Sequence, residues 1–370
     1  MNSYKLSVSS FLSISFILIV ILGDLEAGSS NVFVVYFKYI ILILPLAFLF
    51  IYDSRLYWNV QFLWPFFFIV IWSFIFNLNA TVMKLATSIV ILIPCIFYIS
   101  GLKFKIRDNQ LNVLFVWLGI YFLILKFNSI VSLSFDSFML SGKSSEVESF
   151  LFPFILGFIC LYFLLSNKKK NFVFFLILIF LTGKRSVFLA INIVLFIKIF
   201  NLQTYLLKYK VLIGLLLNFV GLFVLFLFSN SFFNELFFEL FGIKSIGAFS
   251  AGRSSIYSFI YSFYEGLTLY SQLFGIGFGS LQNYIGDFFF LDSGWNAHND
   301  ILRLLVELGF FGLCVFIVLI YKKLNEDQFI VVIFFNVLLF FTNSLIFPVV
   351  LFYFLLIMFL RNDKKLNQYG

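Results

Sequence analysis

The sequence predicts an all-α, polytopic membrane protein, and three observations carry that prediction. Of 370 residues, 62% are hydrophobic and only 11% charged, with a mean hydropathy of +1.08. That leaves too little polar surface to cover a water-soluble globule of this length. Apolar runs of about 20 residues recur from end to end, each long enough for a helix to cross a hydrocarbon core of roughly 30 Å. Only helices satisfy every backbone amide in lipid without strand partners.

Taken in order, the runs place spans at 10–22, 32–51, 56–76, 82–100, 111–131, 150–165, 172–182, 186–200, 211–229, 301–320, 329–343 and 345–360, about twelve in all. The first, Phe11 to Leu22 behind Lys5, is short enough to mimic a signal peptide. With so many spans behind it, it is read as a retained helix. The whole chain, 1–370, is read as a single membrane domain.

Charge orients these spans. The formal net charge is +8, but no soluble basic segment gathers it into a nucleic-acid surface. With the N-terminus inside, one side collects most of the lysines and arginines, including Lys168, Lys169, Lys170, Lys208, Lys210, Lys322, Lys323 and Arg361. The other keeps Lys143, Lys184, Arg185, Lys244 and Arg253. The asymmetry makes both termini cytoplasmic. Lys38, Lys84 and Lys126 fall inside spans near their outward ends, where each alone is a snorkelling lysine. The 60 phenylalanines are spread through every span, as residues facing lipid or filling helix packing are. Cys95, Cys160 and Cys314 lie in spans without metal-ligand spacing, so neither disulfides nor zinc are indicated.

Between spans, one outward segment, 230–300, holds about 70 residues that do not read as a single span. Within it, Ile256, Phe259, Ile260 and Phe263 recur at three- and four-residue spacing, one apolar face of a short helix. Ser250 is placed to cap it and Arg253 to sit in its first turn, where helix-end amides and a guanidinium together favour an anion. An interfacial helix whose arginine meets lipid phosphate fits the same residues. Gly275, Gly277 and Gly279 then make a tight turn back to the membrane; they do not match a dinucleotide fingerprint.

The turn Leu181-Thr182-Gly183-Lys184-Arg185-Ser186 sets two cations at an outward boundary, against the topological bias. Together, Lys38, Lys84, Lys126, Arg185, Arg253 and Arg303 would line the outer membrane boundary with positive charge, which suits an anionic, lipid-linked ligand such as a pyrophosphate, gripped by arginine's planar fork in a bidentate manner. The only histidine, His298, lies where the long outward loop re-enters the membrane. A neutral imidazole there accepts a proton near neutral pH, although a lone interfacial histidine is by default a satisfied polar residue. If 298–313 is one helix, Glu307 lies on the face opposite His298 and about 13 Å along the axis. Glu307 instead has i,i+4 spacing to Arg303 and is expected to pair with it. Gly309 and Gly312 suit close approach of another helix.

The run His298-Asn299-x-x-Leu302-x-x-Leu305-x-Glu307-x-Gly309-x-x-Gly312-Leu313 resembles the signature of the bacterial O-antigen polymerase and O-antigen ligase superfamily. Thr182-Gly183-Lys184-Arg185-Ser186 resembles that family's T-G-S-R turn, with Lys184 where serine is usual, and Gly252-Arg253 its G-R at the start of a loop helix. The resemblance covers residues 172 to 320. It implies a GT-C-like glycosyltransferase with a large, partly helical periplasmic loop at 230–300, set in the bacterial inner membrane with its active site facing the periplasm. The implied reaction moves a glycan from undecaprenyl pyrophosphate to a hydroxyl of a lipid-linked repeat unit, with inversion and without metal or cofactor. The acceptor makes the difference between a hexosyltransferase-type polymerase of O-antigen or capsule and a ligase acting on lipid A-core; the reading made here is polymerase. The implied roles are His298 as base, Arg185, Arg253 and Lys184 on the pyrophosphate (Arg185 foremost), and Asn299, Arg303 and Glu307 in support. Implied partners are the undecaprenyl-pyrophosphate-linked oligosaccharide, membrane lipids and a chain-length regulator protein, with no nucleic acid. A flippase for lipid-linked sugars is a second class, but it predicts polar residues deep in the spans and duplicated halves.

Overall fold

A computed structural model describes residues 64–76, 108–131, 152–229, 253–289, 297–342, 344–346 and 348–361. All regular structure among these residues is helical: α1 (Trp64–Phe76), α2 (Asp108–Val131), α3 (Phe152–Leu165), α4 (Lys169–Leu181), α5 (Arg185–Ile199), α6 (Leu202–Lys208), α7 (Lys210–Ser229), α8 (Arg253–Glu265), α9 (Leu269–Phe274), α10 (Leu281–Phe289), α11 (Asp300–Tyr321), α12 (Glu326–Phe341), a 3-10 turn at Ser344–Ile346, and α13 (Pro348–Leu360). The expected spans at 10–22, 32–51 and 82–100 lie outside the described residues, as do Lys38, Lys84, Cys95, Lys143, Lys244, Ser250, Gly252 and the side chain of Lys126.

Wherever an expected span overlaps the described residues, an apolar helix stands with ends a few residues away. Two of these, Lys210–Leu227 within α7 and Asp300–Tyr321, are long and apolar enough to cross a membrane alone. A third candidate is α5 with α6, bent by 96° at the break between them. Trp64–Phe76, Phe152–Leu165 and Val350–Leu360 are apolar but shorter.

Burial separates the helices into two sets. Nearly all of α3, α12 and α13 is buried, so these form the middle of the bundle, with Phe335 stacked on Phe354 at 4.2 Å and Phe158 against Phe334 at 5.0 Å. By contrast α2, α5 and α7 expose large apolar side chains such as Trp117, Phe196 and Phe223. Continuous exposed apolar faces of that kind require a non-aqueous neighbour, which makes this a membrane-embedded protein. Between the outer α7 and the central α12, Asn218 Nδ2 donates to Asn336 Oδ1 at 3.1 Å, a buried polar tie where water is excluded.

At one end of the bundle, basic side chains close the last turns of helices. Lys198 Nζ donates to Leu164 O at 2.5 Å, and Arg361 Nη2 donates to Tyr162 O at 2.8 Å and to the Ser166 hydroxyl. Lys210 Nζ donates to Leu324 O at 3.1 Å. Carbonyls left over at helix C-termini accept such bonds, and the negative end of the helix dipole favours the charge. Several of the cations behind the charge asymmetry in the sequence thus also hold helix ends together.

Candidate functional site

At the opposite end, three separate stretches converge. The first is the turn between α4 and α5. Thr182 Oγ1 donates to Ile179 O at 2.7 Å and accepts from Lys184 N at 3.2 Å, while Gly183 takes φ +69°, a left-handed conformation suited to glycine after a helix end. Lys184 is then the N-cap residue of α5 and Arg185 its first helical residue. Lys184 is half-buried, its Nζ 5.5 Å from the Phe154 ring centroid, whereas Arg185 is exposed.

The second stretch is α8. It starts at Arg253 and buries Ile256, Tyr257 and Ile260. Tyr261 Oη donates to Leu222 O at 2.6 Å, holding α8 against α7. Tyr257, one turn after Arg253, donates from its hydroxyl to His298 O at 3.4 Å. Burial pushes the Tyr257 phenol up to about 12, with Arg253 pulling the other way, so it stays a donor.

The third stretch is the entry to α11. His298 itself does not cap this helix: it sits before the helix with φ +51°, and Asn299 is the N-cap, accepting from Leu302 N at 2.8 Å. A left-handed, non-glycine residue is uncommon and persists only where its surroundings impose it. Those surroundings are visible. Asn299 Nδ2 donates to Phe340 O at 2.7 Å, Asp300 N to Thr342 O at 3.2 Å, and Leu345 N to Asp300 Oδ2 at 2.8 Å. The residue before α11 is therefore held by the end of α12 on one side and α8 on the other.

His298 is half-buried, and its pKa is pushed down to about 4, first by burial and then by the charges of Arg253 and Lys184. At neutral pH the imidazole is uncharged and keeps a lone pair beside two cations. Lys184, where the family usually has serine, is thus one of the two cations whose charge acts on the histidine.

Below this entry, α11 is not one continuous helix. Gly309 takes φ +72° and ψ 176°, which splits it into Asp300–Leu308 and a second piece reaching Tyr321. Residues 298–313 are therefore not one helix: His298 precedes the Asn299 cap and Gly309 breaks the helix beyond Glu307, which stays in the unbroken first piece, and the break has a visible cause. The Gly275–Gly279 turn is inserted against it, so that Ile276 N donates to Val306 O at 3.2 Å and Gly277 N to Glu307 O at 3.0 Å. Trp72 Nε1 of α1 donates to Leu308 O at 2.9 Å and Phe274 O at 3.1 Å. Carbonyls that a straight helix would satisfy internally are satisfied from outside. The turn is more than a return to the membrane: it is wedged between α1 and α11, with Phe278 N donating to Ser73 Oγ at 3.1 Å.

Arg303 and Glu307 do pair, Nε to Oε2 at 2.9 Å, both essentially fully buried. Arg303 consequently does not line an exposed cationic boundary; its guanidinium lies 4.6 Å from the Phe278 ring centroid. Glu307 Oε1 accepts from Leu281 N at 3.1 Å, joining the inserted turn and the start of α10 to the first half of α11. Replacing Glu307 by leucine strands a buried guanidinium, expected to cost roughly 3–5 kcal/mol. Removing both charges, Arg303→Leu with Glu307→Leu, recovers part of that loss. Melting temperatures of the single and double variants in detergent measure it.

A bundle of apolar helices with a half-buried histidine and two cations gathered at one end defines a membrane-embedded protein with an anion-compatible, proton-accepting site. Residues 171–317, which carry all three converging stretches, match the family described as O-antigen ligase, which supports the resemblance to the O-antigen polymerase and ligase superfamily. No protein of curated function and no solved structure matches the chain significantly. Members of the matched family are glycosyltransferase-like polymerases or ligases, which supports an enzyme.

Proposed function

We propose that this protein is a polysaccharide polymerase of the bacterial inner membrane. It would transfer a glycan from undecaprenyl pyrophosphate to a hydroxyl of a lipid-linked repeat unit at the periplasmic face, without metal and with inversion at the anomeric carbon. The observation that carries the reading is the convergence of Lys184 and Arg253 on a neutral His298 inside the family-matched segment.

In this reading Lys184, Arg185 and Arg253 bind the pyrophosphate and offset the charge it gains as the anomeric carbon–oxygen bond breaks. His298 takes the proton from the acceptor hydroxyl as that oxygen attacks the opposite face of the sugar. Anionic donor beside Arg253 and Lys184 also counters the repulsion that holds His298 low, raising its basicity when the substrate is in place. Asn299, Arg303 and Glu307 act through the backbone, fixing the entry and upper half of α11.

Because the base is active when neutral, activity rises with pH through the histidine's pKa. In the free enzyme the acid limb of kcat/KM is expected near pH 4. Lys184→Gln removes one of the charges depressing that pKa, so the limb moves to higher pH. A pH profile of kcat/KM for wild type and Lys184→Gln, at saturating acceptor, reads the direction.

The family description itself favours a second reading, a ligase that moves finished O-antigen to lipid A-core. Surface polysaccharide from cells lacking this protein separates the two. A polymerase defect leaves one repeat unit on lipid A-core, a ligase defect leaves none, and unchanged polymer in cells carrying Lys184→Ala with Arg253→Ala sinks both.

A further inference from the structure

At the far end of α11 from His298, a cavity of about 200 Å³ opens between the start of α1, the α11–α12 turn and α13. Its walls include Trp64, Ile320, Lys322, Lys323 and Met358. Ile320 and Met358 are buried, Trp64 is 54% exposed, and both lysines are exposed. The 22 residues of α11 rise about 33 Å between the two ends if the break is ignored, close to a hydrocarbon thickness. The cavity therefore lies at the membrane boundary opposite the histidine, where an amphipathic indole and snorkelling lysines belong.

Several other charges around this cavity are engaged. Lys210 is bonded to Leu324 O, Glu326 Oε1 accepts from the Thr204 hydroxyl at 3.0 Å, and Asp327 lies 3.9 Å from Arg361. Lys322 and Lys323 make no ion pair among the described residues. Two adjacent ammonium groups over a small cleft with an apolar floor complement a group that is anionic at its head and apolar below. We propose that this cavity is a binding site for the phosphate headgroup of an anionic phospholipid, its glycerol end seated between Trp64 and Met358. The site is independent of the glycan chemistry at the other end. Its occupant would fix the α11–α12 turn to the α1 start, stabilising the helix that carries His298.

The test uses the full chain in neutral detergent, titrated with phosphatidylglycerol, phosphatidylcholine or inorganic phosphate while its melting temperature is followed. Phosphatidylglycerol is expected to raise the midpoint by about 2–4 °C, as a ligand present well above its Kd does for a domain of this size, with little effect from the other two. Lys322→Gln with Lys323→Gln removes the response. Lys169→Gln with Lys170→Gln, an exposed pair at the same end, retains it. A phosphatidylglycerol response that survives in the first variant, or is lost equally in the second, overturns the proposal, and so does an equal shift with inorganic phosphate.

Discussion

His298→Ala is expected to lower polymerisation by roughly 10²–10⁴-fold, the usual contribution of a positioned general base, while leaving the protein folded and inserted. The fold is expected to survive because the histidine's side chain carries none of the hydrogen bonds that hold the entry to α11. Those run through Asn299, Asp300 and the backbone carbonyl of residue 298. Alanine at φ +51° costs about 1 kcal/mol, a small fraction of a domain's stability. Turnover of lipid-linked repeat units should therefore fall while the melting temperature stays within about 2–4 °C of wild type. Full activity in His298→Ala removes the base role even if the cations prove essential. Asn299→Ala makes the contrast: it deletes the cap and the bond to Phe340 O, and is expected to lose stability and activity together.

The largest structural effect is expected at Gly309. A Cβ there would lie 2.4 Å from Leu273 C and 2.5 Å from Gly275 N, both backbone atoms that cannot rotate away. With φ +72° and ψ 176° the residue also occupies a region essentially reserved for glycine. Gly309→Ala is expected to cost roughly 2–6 kcal/mol from backbone strain and overpacking combined. The inserted turn is then expelled, Val306, Glu307 and Leu308 lose their external donors, and the Glu307 bond to Leu281 N goes with them. Gly266→Ala is the comparison, since its nearest neighbour, Ser262 O, is 3.5 Å away, an ordinary contact. Melting temperature and yield of inserted protein should drop sharply for Gly309→Ala and hardly for Gly266→Ala. Equal behaviour would mean that the break in α11 does not depend on glycine.

Much of the fold was legible because lipid imposes a simple code. Long apolar runs become helices, and charge marks their ends, so 152–165, 210–229 and 300–321 could be read within a few residues. The Arg303–Glu307 pair was legible for the same local reason, its i,i+4 spacing. The break at Gly309 was not. Gly-x-x-Gly in an apolar helix reads as a packing face, and what opens it is a donor set from Trp72, Ile276 and Gly277, the first of them more than 200 residues away. Similarly, the sequence makes Arg185 the natural anion ligand, because arginine is the better fork. The fold half-buries Lys184 and exposes Arg185, and that the charge of Lys184 acts on His298 follows from how the α4–α5 turn packs, which spacing along the chain does not give. Tyr257 carried a signal that went unused, its i+4 relation to Arg253 on one helix face. Asp300 carried none, since its bond to Leu345 N depends on how the α12–α13 turn returns to α11.

The most direct measurement of the central claim is polymerisation in vitro, with the purified chain as the only protein, lipid-linked repeat units as the only substrate and a chelator present. The account predicts a ladder of polymer with release of polyprenyl pyrophosphate, abolished by His298→Ala. No extension by folded wild-type protein, or extension that the His298→Ala protein matches, would contradict it.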